Sequence, residues 1–289
     1  LGEVTAGVIG GEIFVVGEGG NATYAYDIYA GTWSTVASRP HPGHHSASEV
    51  INGKWYLFGG IGGGSAGKVQ IYDPVLDTWS LGADMPWAAS SSSTALIGGL
   101  VYLVGGMVNG AFTVGDAVAY DPVADTYTPL ASMPLPRNHA ASGTDGERLW
   151  VFGGRGPGSG DGNVVANGFD HVQVYDPVAG TWEASSEPGS TLQPLPVPRG
   201  GMGKAVFKDG EFYVFGGETL NGPGATVDDV FDRVDVYDPV AGTWRVEAPM
   251  TLPRHGVFPV LFEGRVFLPG GGTTSGFSQS TGLDVFDRQ

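Results

Sequence analysis

The chain has 289 residues, 41% of them apolar, a formal net charge of −16 and no cysteine. Its length and apolar content suffice for one sizeable core. The acidity argues against nucleic acid and anionic membranes as partners. Zero cysteines exclude disulfides, thiolate catalysis and cysteine-ligated zinc, and no apolar run approaches the length of a membrane span.

Six short apolar runs recur along the chain, each closing on paired glycines: residues 13–17 (Glu18 replaces the second glycine), 55–60, 101–106, 149–154, 212–217 and 266–271. Rich in Val, Phe, Tyr and Trp and too short for helices, they read as strands buried on both faces. Upstream of each lies another strand-length stretch across a tight turn. The turns are Gly10-Gly11, Asn52-Gly53, Gly98-Gly99, Asp145-Gly146, Asp209-Gly210 and Glu263-Gly264, mostly the chemistry a hairpin requires. Downstream comes a second phrase. Tyr-Asp-Pro-Val-Ala-Gly-Thr-Trp stands unchanged at 175–182 and 237–244, in altered form at 26–33, 72–79 and 120–127, and as the stub Phe286-Asp287. Within it Pro presets φ and Asp can bond the following backbone, so it predicts a turn between a third and a fourth strand. The fifty glycines fall at strand ends and turns, which favours order over a low-complexity tract.

A phrase repeated about every 40 to 60 residues marks repeated supersecondary units, here six antiparallel meanders. A strand ending in Gly-Gly, then Tyr-Asp, then Trp six residues beyond the Asp, resembles the kelch repeat. The spacing holds from Asp27 to Trp33, Asp73 to Trp79, Asp176 to Trp182 and Asp238 to Trp244; in the third unit Tyr127 takes the Trp position. The resemblance covers the whole chain. It implies an all-β, six-bladed propeller of four-stranded blades around a central channel, one domain over 1–289. Nothing after Asp287 supplies a Trp-bearing fourth strand. The last blade is therefore expected to be incomplete, and the chain to be a propeller excised from a longer one.

In such a meander the segments leading into first strands share a face with the connections between second and third strands. Those connections are long and unequal, the largest at 155–170, 218–233 and 272–281, and variable loops on a rigid scaffold are where function is expected. Five of the six histidines (His41, His44, His45, His139, His255) fall in the lead-ins, as do Arg39, Arg137, Arg199 and Arg254; Glu18, Arg155 and Glu218 follow second strands directly. The candidate ligand-binding set is therefore His44, His45, Arg137, Asn138, His139, Arg155, Arg199, Glu218, Arg254 and His255. A rim of Arg137, Arg199 and Arg254 would suit a carboxylate-bearing or sulfated ligand, with Trp87 or Phe169 to stack on a sugar ring. In kelch repeats, however, such arginines often bond the carbonyls of a neighbouring blade.

These residues point first to a secreted or periplasmic module that binds a carbohydrate or another small polar ligand at the channel mouth. The resemblance implies two alternatives. One is an enzyme, because kelch-type propellers include a sugar-acid epimerase; Glu218, His139 and Glu49 would then be the acid and base candidates. The other is a protein-interaction platform. No cofactor is expected, although Ca²⁺ or a transition metal would find candidate ligands in His44, His45, His139 and Asp161. Neither nucleic-acid binding nor membrane insertion is expected, and the isolated domain should be a monomer.

Overall fold

The computed structural model describes residues 1–157, 168–220 and 228–287; Asp161 lies outside them. Blade 1 is Thr5–Ile9, Glu12–Val16, Thr23–Asp27 and Thr32–Val36; blade 2 is Ala47–Ile51, Lys54–Phe58, Val69–Asp73 and Thr78–Gly82. Blade 3 is Ser93–Ile97, Leu100–Val104, Ala117–Asp121 and Thr126–Pro129; blade 4 is Ala141–Thr144, Leu149–Phe152, Val172–Asp176 and Thr181–Ala184. Blade 5 is Val206–Lys208, Glu211–Phe215, Val234–Asp238 and Thr243–Val246, and blade 6 has three strands, Val260–Phe262, Arg265–Pro269 and Leu283–Phe286. Within each blade neighbouring strands run antiparallel in sequence order. On the loop face Ala89–Ser90, Met107–Val108 and Phe112–Thr113 form a small additional sheet, and Glu218–Leu220 pairs with Asp228–Val230.

The second strands are the core of each blade. Trp55, Leu57, Val101, Leu103, Phe212 and Val214 are fully buried, because a blade has a neighbour on each face and both sides of its inner strands meet apolar surface. Fourth strands lie at the outer edge and are largely exposed. The blades are glued by aromatic and aliphatic contact: Trp150 and Phe152 of blade 4 pack on Phe212 and Tyr237 of blade 5.

The repeated phrase shows why its residues recur. In Asp27, Asp73, Asp121, Asp176 and Asp238 one carboxylate oxygen accepts hydrogen bonds from the backbone N–H groups two and three residues on. Each therefore closes the turn into the fourth strand. The Trp reaches back to the preceding blade. Trp79 Nε1 donates to the Ala37 carbonyl, Trp182 Nε1 to Ala131 and Trp244 Nε1 to Gln193, at 2.8–3.0 Å. Tyr127 keeps the role, its hydroxyl donating to the Ala83 carbonyl at 2.8 Å.

Residues just past the fourth strands fill the gaps between blades. Met85, Met133, Leu195 and Met250 are buried in the inter-blade clusters. At the join of blades 6 and 1, Val4, Ala6 and Val15 pack against Phe258, Val260 and Phe267. A cavity of about 430 Å³ opens there, lined by Leu1, Val4, Val15, Tyr24, Trp33 and Pro269 among others, and Trp33 is 46% exposed. A contrast follows from this asymmetry. Trp182→Phe should cost about 1 kcal/mol, the net worth of one hydrogen bond, while Trp33→Phe should leave the urea midpoint almost unmoved. Equal losses for the two would contradict the stapling role.

Candidate functional site

One residue at each lead-in adopts the left-handed backbone conformation: Glu3 (φ 44°), His45 (61°), Ser91 (54°), His139 (52°), Gly201 (67°) and Gly256 (58°). These six are equivalent, one per blade. Around the axis their backbones join by hydrogen bonds between adjacent blades: Ser91 N–H to His45 O, His139 to Ser91, Met202 to His139, Gly256 to Gly201 and Val4 to Gly256, at 2.7–3.2 Å. A left-handed residue other than glycine costs on the order of 1 kcal/mol and persists only where its surroundings over-determine it. Here the ring bonds hold the backbone, and the side chains of Glu3, His45, Ser91 and His139 meet at the channel mouth.

The glycines at the other two positions make room. A Cβ on Gly256 would lie 2.7 Å from Glu3 Oε2, and one on Gly201 would lie 2.9 Å from Glu218 Cγ. Gly256→Ala should therefore displace the Glu3 carboxylate and strain the backbone, with a loss of about 1–3 kcal/mol. Differential scanning calorimetry would register this as a lower melting temperature; an unchanged melt would show that the mouth can relax around a methyl group.

The polar groups at the mouth form a continuous network. Glu3 bridges two imidazoles, with Oε2 3.0 Å from His45 Nε2 and Oε1 3.1 Å from His255 Nδ1. Glu218 is paired with the Arg155 guanidinium, lies 3.5 Å from His255 Nδ1 through Oε1, and accepts from the Gly276 N–H at 2.9 Å through Oε2. His255 Nε2 donates to the Thr274 carbonyl at 2.9 Å. The His44 and His45 Nδ1 atoms face each other, and the His45 ring packs edge-on to His139 at 4.7 Å between centroids. His139 Nδ1 bonds Asn138 Oδ1, its Nε2 accepts from the Ser91 hydroxyl at 3.3 Å, and Asn138 Nδ2 donates to Thr113 Oγ1 at 2.6 Å. Glu3, Asn138, His139, Arg155, Glu218 and His255 are all buried.

Burial sets the protonation of this network. It drives the His139 pKa well below the ordinary imidazole value, helped by the Arg155 and His45 charges, and pushes His44 down to about 4 with the His45 charge adding to it. For Glu3 burial opposes ionisation, yet the His45 charge and hydrogen bonds from His255 and His45 hold the carboxyl well below its usual range. For His255 burial opposes protonation, but the bond to Glu3 and the charges of Glu3 and Glu218 raise its pKa.

Two imidazoles thus stay neutral in the fold where the unfolded chain takes up protons below about pH 6.5. Stability should fall as pH drops from about 6.5 towards 4, and further below the ordinary glutamate pKa as Glu3 is forced to protonate; His255 works the other way, favouring the fold as it protonates. His139→Asn keeps a residue suited to the left-handed conformation and removes one of the titrating groups. Urea midpoints measured from pH 7.5 to 4 should show a shallower decline for this variant than for wild type. An equally steep decline would remove His139 from the acid response.

The lead-in arginines do not line the mouth, which corrects the expectation of a positive rim. Arg39 donates to the carbonyls of Gly17, Gly20 and Gly43. Arg199 bonds the Gly216 and Val197 carbonyls and pairs with the buried Asp235 at 2.7 Å. Arg254 bonds the Leu268 and Gly270 carbonyls and pairs with Asp284 at 3.0 Å. Arg137 bonds the Pro136 carbonyl and His171, and its guanidinium sits 3.8 Å above the Phe169 ring. A strand-end guanidinium buried beside unpaired loop carbonyls satisfies them, whereas in the channel it would leave them orphaned. Phe169 is covered by that stacking, and Trp87 packs against the core between blades 2 and 3.

Glu49 is also taken up by structure. Deeper in the channel it pairs with Lys204 of the opposite side, whose ammonium donates in addition to the Thr94 carbonyl at 2.9 Å. Above this plug the free space is a cavity of about 40 Å³, lined by Glu3, His45, Ser91, His139, Lys204 and Gly256 among others. That holds a water or two and is far below the 300 Å³ or so of a small-molecule pocket. Among the described residues one set of three ligand-type side chains converges closely enough to hold a metal ion: Glu3, Glu218 and His255. The three-histidine cluster of His44, His45 and His139 is in ring contact but is not that set. Glu3, Ser91 and Lys204 stand outside the candidate residues read from the sequence; aligning Glu3 and Ser91 with His45 and His139 in the lead-ins was the available signal.

The kelch motif model matches residues 42–86, 88–134, 136–189 and 200–251, which is more than half of the chain and four of the six units seen in the structure. The chain belongs to the kelch-repeat family. Among its curated relatives, the kelch-like protein terF of Aspergillus terreus is 30% identical over 118 residues, 41% of this kelch chain and 25% of that protein. The Kelch-like ECH-associated protein 1B of Danio rerio is 28% identical over 110 residues, 38% and 17%. An F-box/kelch-repeat protein of Arabidopsis thaliana is 30% identical over 129 residues, 45% and 30%. The matches thus span between 17% and 30% of these relatives' lengths. The solved structure of YjhT superposes with a TM-score of 0.82 at 17% identity, covering 100% of this chain and 95% of that one, a likeness of fold.

Proposed function

We propose that this kelch propeller is a recognition domain that binds a protein partner through its loop face. The observation that carries the reading is that the channel mouth is a filled polar floor and not a pocket. Its histidines, carboxylates and Arg155 bond one another, and the residual cavity is about 40 Å³. Around that floor stand loops that place two large aromatic side chains in solvent, Phe112 (51% exposed) and Phe277 (87%). Aromatics exposed on a rigid rim are the usual anchors of a protein interface. The names of two relatives, one ECH-associated and one joined to an F-box, agree with such a role. Four further exposed side chains, Val75, Val123, Val178 and Val240, lie one per blade on the turns of the opposite face; apolar residues scattered singly are ordinary.

A small polar ligand is the second reading, favoured by the convergence of Glu3, His45, His139 and His255. It loses the anion selectivity that free arginines would have supplied, since Arg137, Arg199 and Arg254 are engaged elsewhere. The test is a binding isotherm for a partner captured on the wild-type propeller. Phe277→Ala should weaken it about 30-fold, the size of a 2 kcal/mol anchor, with the melting temperature unchanged because the ring is exposed. Undiminished affinity in a Phe112→Ala/Phe277→Ala double variant would refute the loop-face interface.

A further inference from the structure

The histidine at the sixth lead-in has an unusual environment. His255 is fully buried, and its Nε2 points at the Thr274 carbonyl at 2.9 Å. A carbonyl only accepts, so Nε2 carries a proton and the lone pair of a neutral ring lies on Nδ1. That Nδ1 faces two carboxylate oxygens, Glu3 Oε1 at 3.1 Å and Glu218 Oε1 at 3.5 Å, the second of which also pairs with the Arg155 guanidinium. A lone pair confronting two carboxylates is repulsive unless something positive lies between them, either a proton or a metal ion.

We propose that Glu3, Glu218 and His255 form a binding site for one first-row divalent transition ion at the channel mouth. The three ligand atoms lie within 4.8 Å of one another. Bonds of about 2.1 Å at tetrahedral or octahedral angles would place donors roughly 3.0–3.4 Å apart, close to the observed separations from His255 Nδ1. Each ligand is braced by its other polar atom: His255 Nε2 by the Thr274 carbonyl, Glu3 Oε2 by His45 Nε2, and Glu218 Oε2 by the Gly276 N–H. Such outer bonds fix the tautomer and orientation of metal ligands. One imidazole with two carboxylates suits Zn²⁺, Fe²⁺, Mn²⁺ or Co²⁺ better than Ca²⁺, which takes six to eight oxygens. A cavity of about 40 Å³ adjoins the set on the Glu3 side, with room for a water or two. The ligands come from blades 1, 5 and 6, so an ion held there ties the closing blades together.

Co²⁺ is the probe, because its visible absorption reports on coordination. Chelator-treated wild type titrated with Co²⁺ should bind one equivalent with a d–d spectrum and melt at a higher temperature. Glu218→Gln and His255→Gln should each lose affinity roughly 100-fold, while His171→Asn, which alters a histidine away from the mouth, should bind as wild type. Melts without metal establish that each variant folds. If one ligand variant does not, the Co²⁺-dependent rise in melting temperature, abolished in Glu3→Gln, carries the test. Absence of stoichiometric binding to wild type would overturn the site, and so would binding retained in both Glu218→Gln and His255→Gln.

Discussion

Arg199→Ala should lower the melting temperature of the propeller by roughly 6–10 °C and leave recognition at the loop face intact. The guanidinium is fully buried and bonds the carbonyls of Val197 and Gly216 as well as Asp235. Removing it strands two carbonyls and one side of a buried carboxylate. Breaking a buried pair from one end costs about 3–5 kcal/mol. Arg233 also bonds Asp235, at 2.6 Å, which places the expected loss near 3 kcal/mol, and a domain of this size shifts by a few degrees per kcal/mol. Calorimetry on the variant settles the matter. A melt like that of wild type, combined with lost binding, would mean that the arginine ends in the channel after all.

The second large effect is expected deep in the channel. Lys204→Met leaves the Glu49 carboxylate without its cation in a largely enclosed space, with a loss on the order of 3 kcal/mol. The double variant Lys204→Met/Glu49→Leu removes both charges and should recover most of that loss, because two apolar side chains need no compensation. Urea unfolding of the two variants measures the difference. A double variant no more stable than Lys204→Met would show that the pair does more than neutralise itself. Glu49 would then return to consideration as an acid or base.

These contrasts mark how far the sequence can be read. Blade number, strand order and the incomplete sixth blade were legible because the features that specify them are local and repeated. Paired glycines end second strands, and the Asp of each phrase bonds its own turn. Even the Tyr127 exception was legible in kind, since its hydroxyl takes over the donor role of the Trp Nε1. The lead-ins to first strands are legible from the same alignment, which puts His45 and His139 at corresponding positions; that both are left-handed is visible only in the structure. What the sequence does not disclose is the direction of a long side chain. Arg137, Arg199 and Arg254 begin at the rim, but four rotatable bonds decide whether the guanidinium ends in the channel or among carbonyls. The deciding partners, Asp235 for Arg199 and Asp284 for Arg254, lie about 30–36 residues away. Glu3 gives no such signal, because its lead-in is short and carries no histidine; only the closure of the ring brings it between His45 and His255.

Hydrogen–deuterium exchange on the propeller, free and bound to a captured protein partner, tests the loop-face interface most directly. Binding should protect the backbone at residues 61–67, 107–116 and 272–282, the loops around the mouth, and leave the turns at 74–77, 122–125, 177–180 and 239–242 exchanging as before. Protection confined to those turns, where Val75, Val123, Val178 and Val240 stand exposed, would place recognition on the opposite face and contradict the proposal.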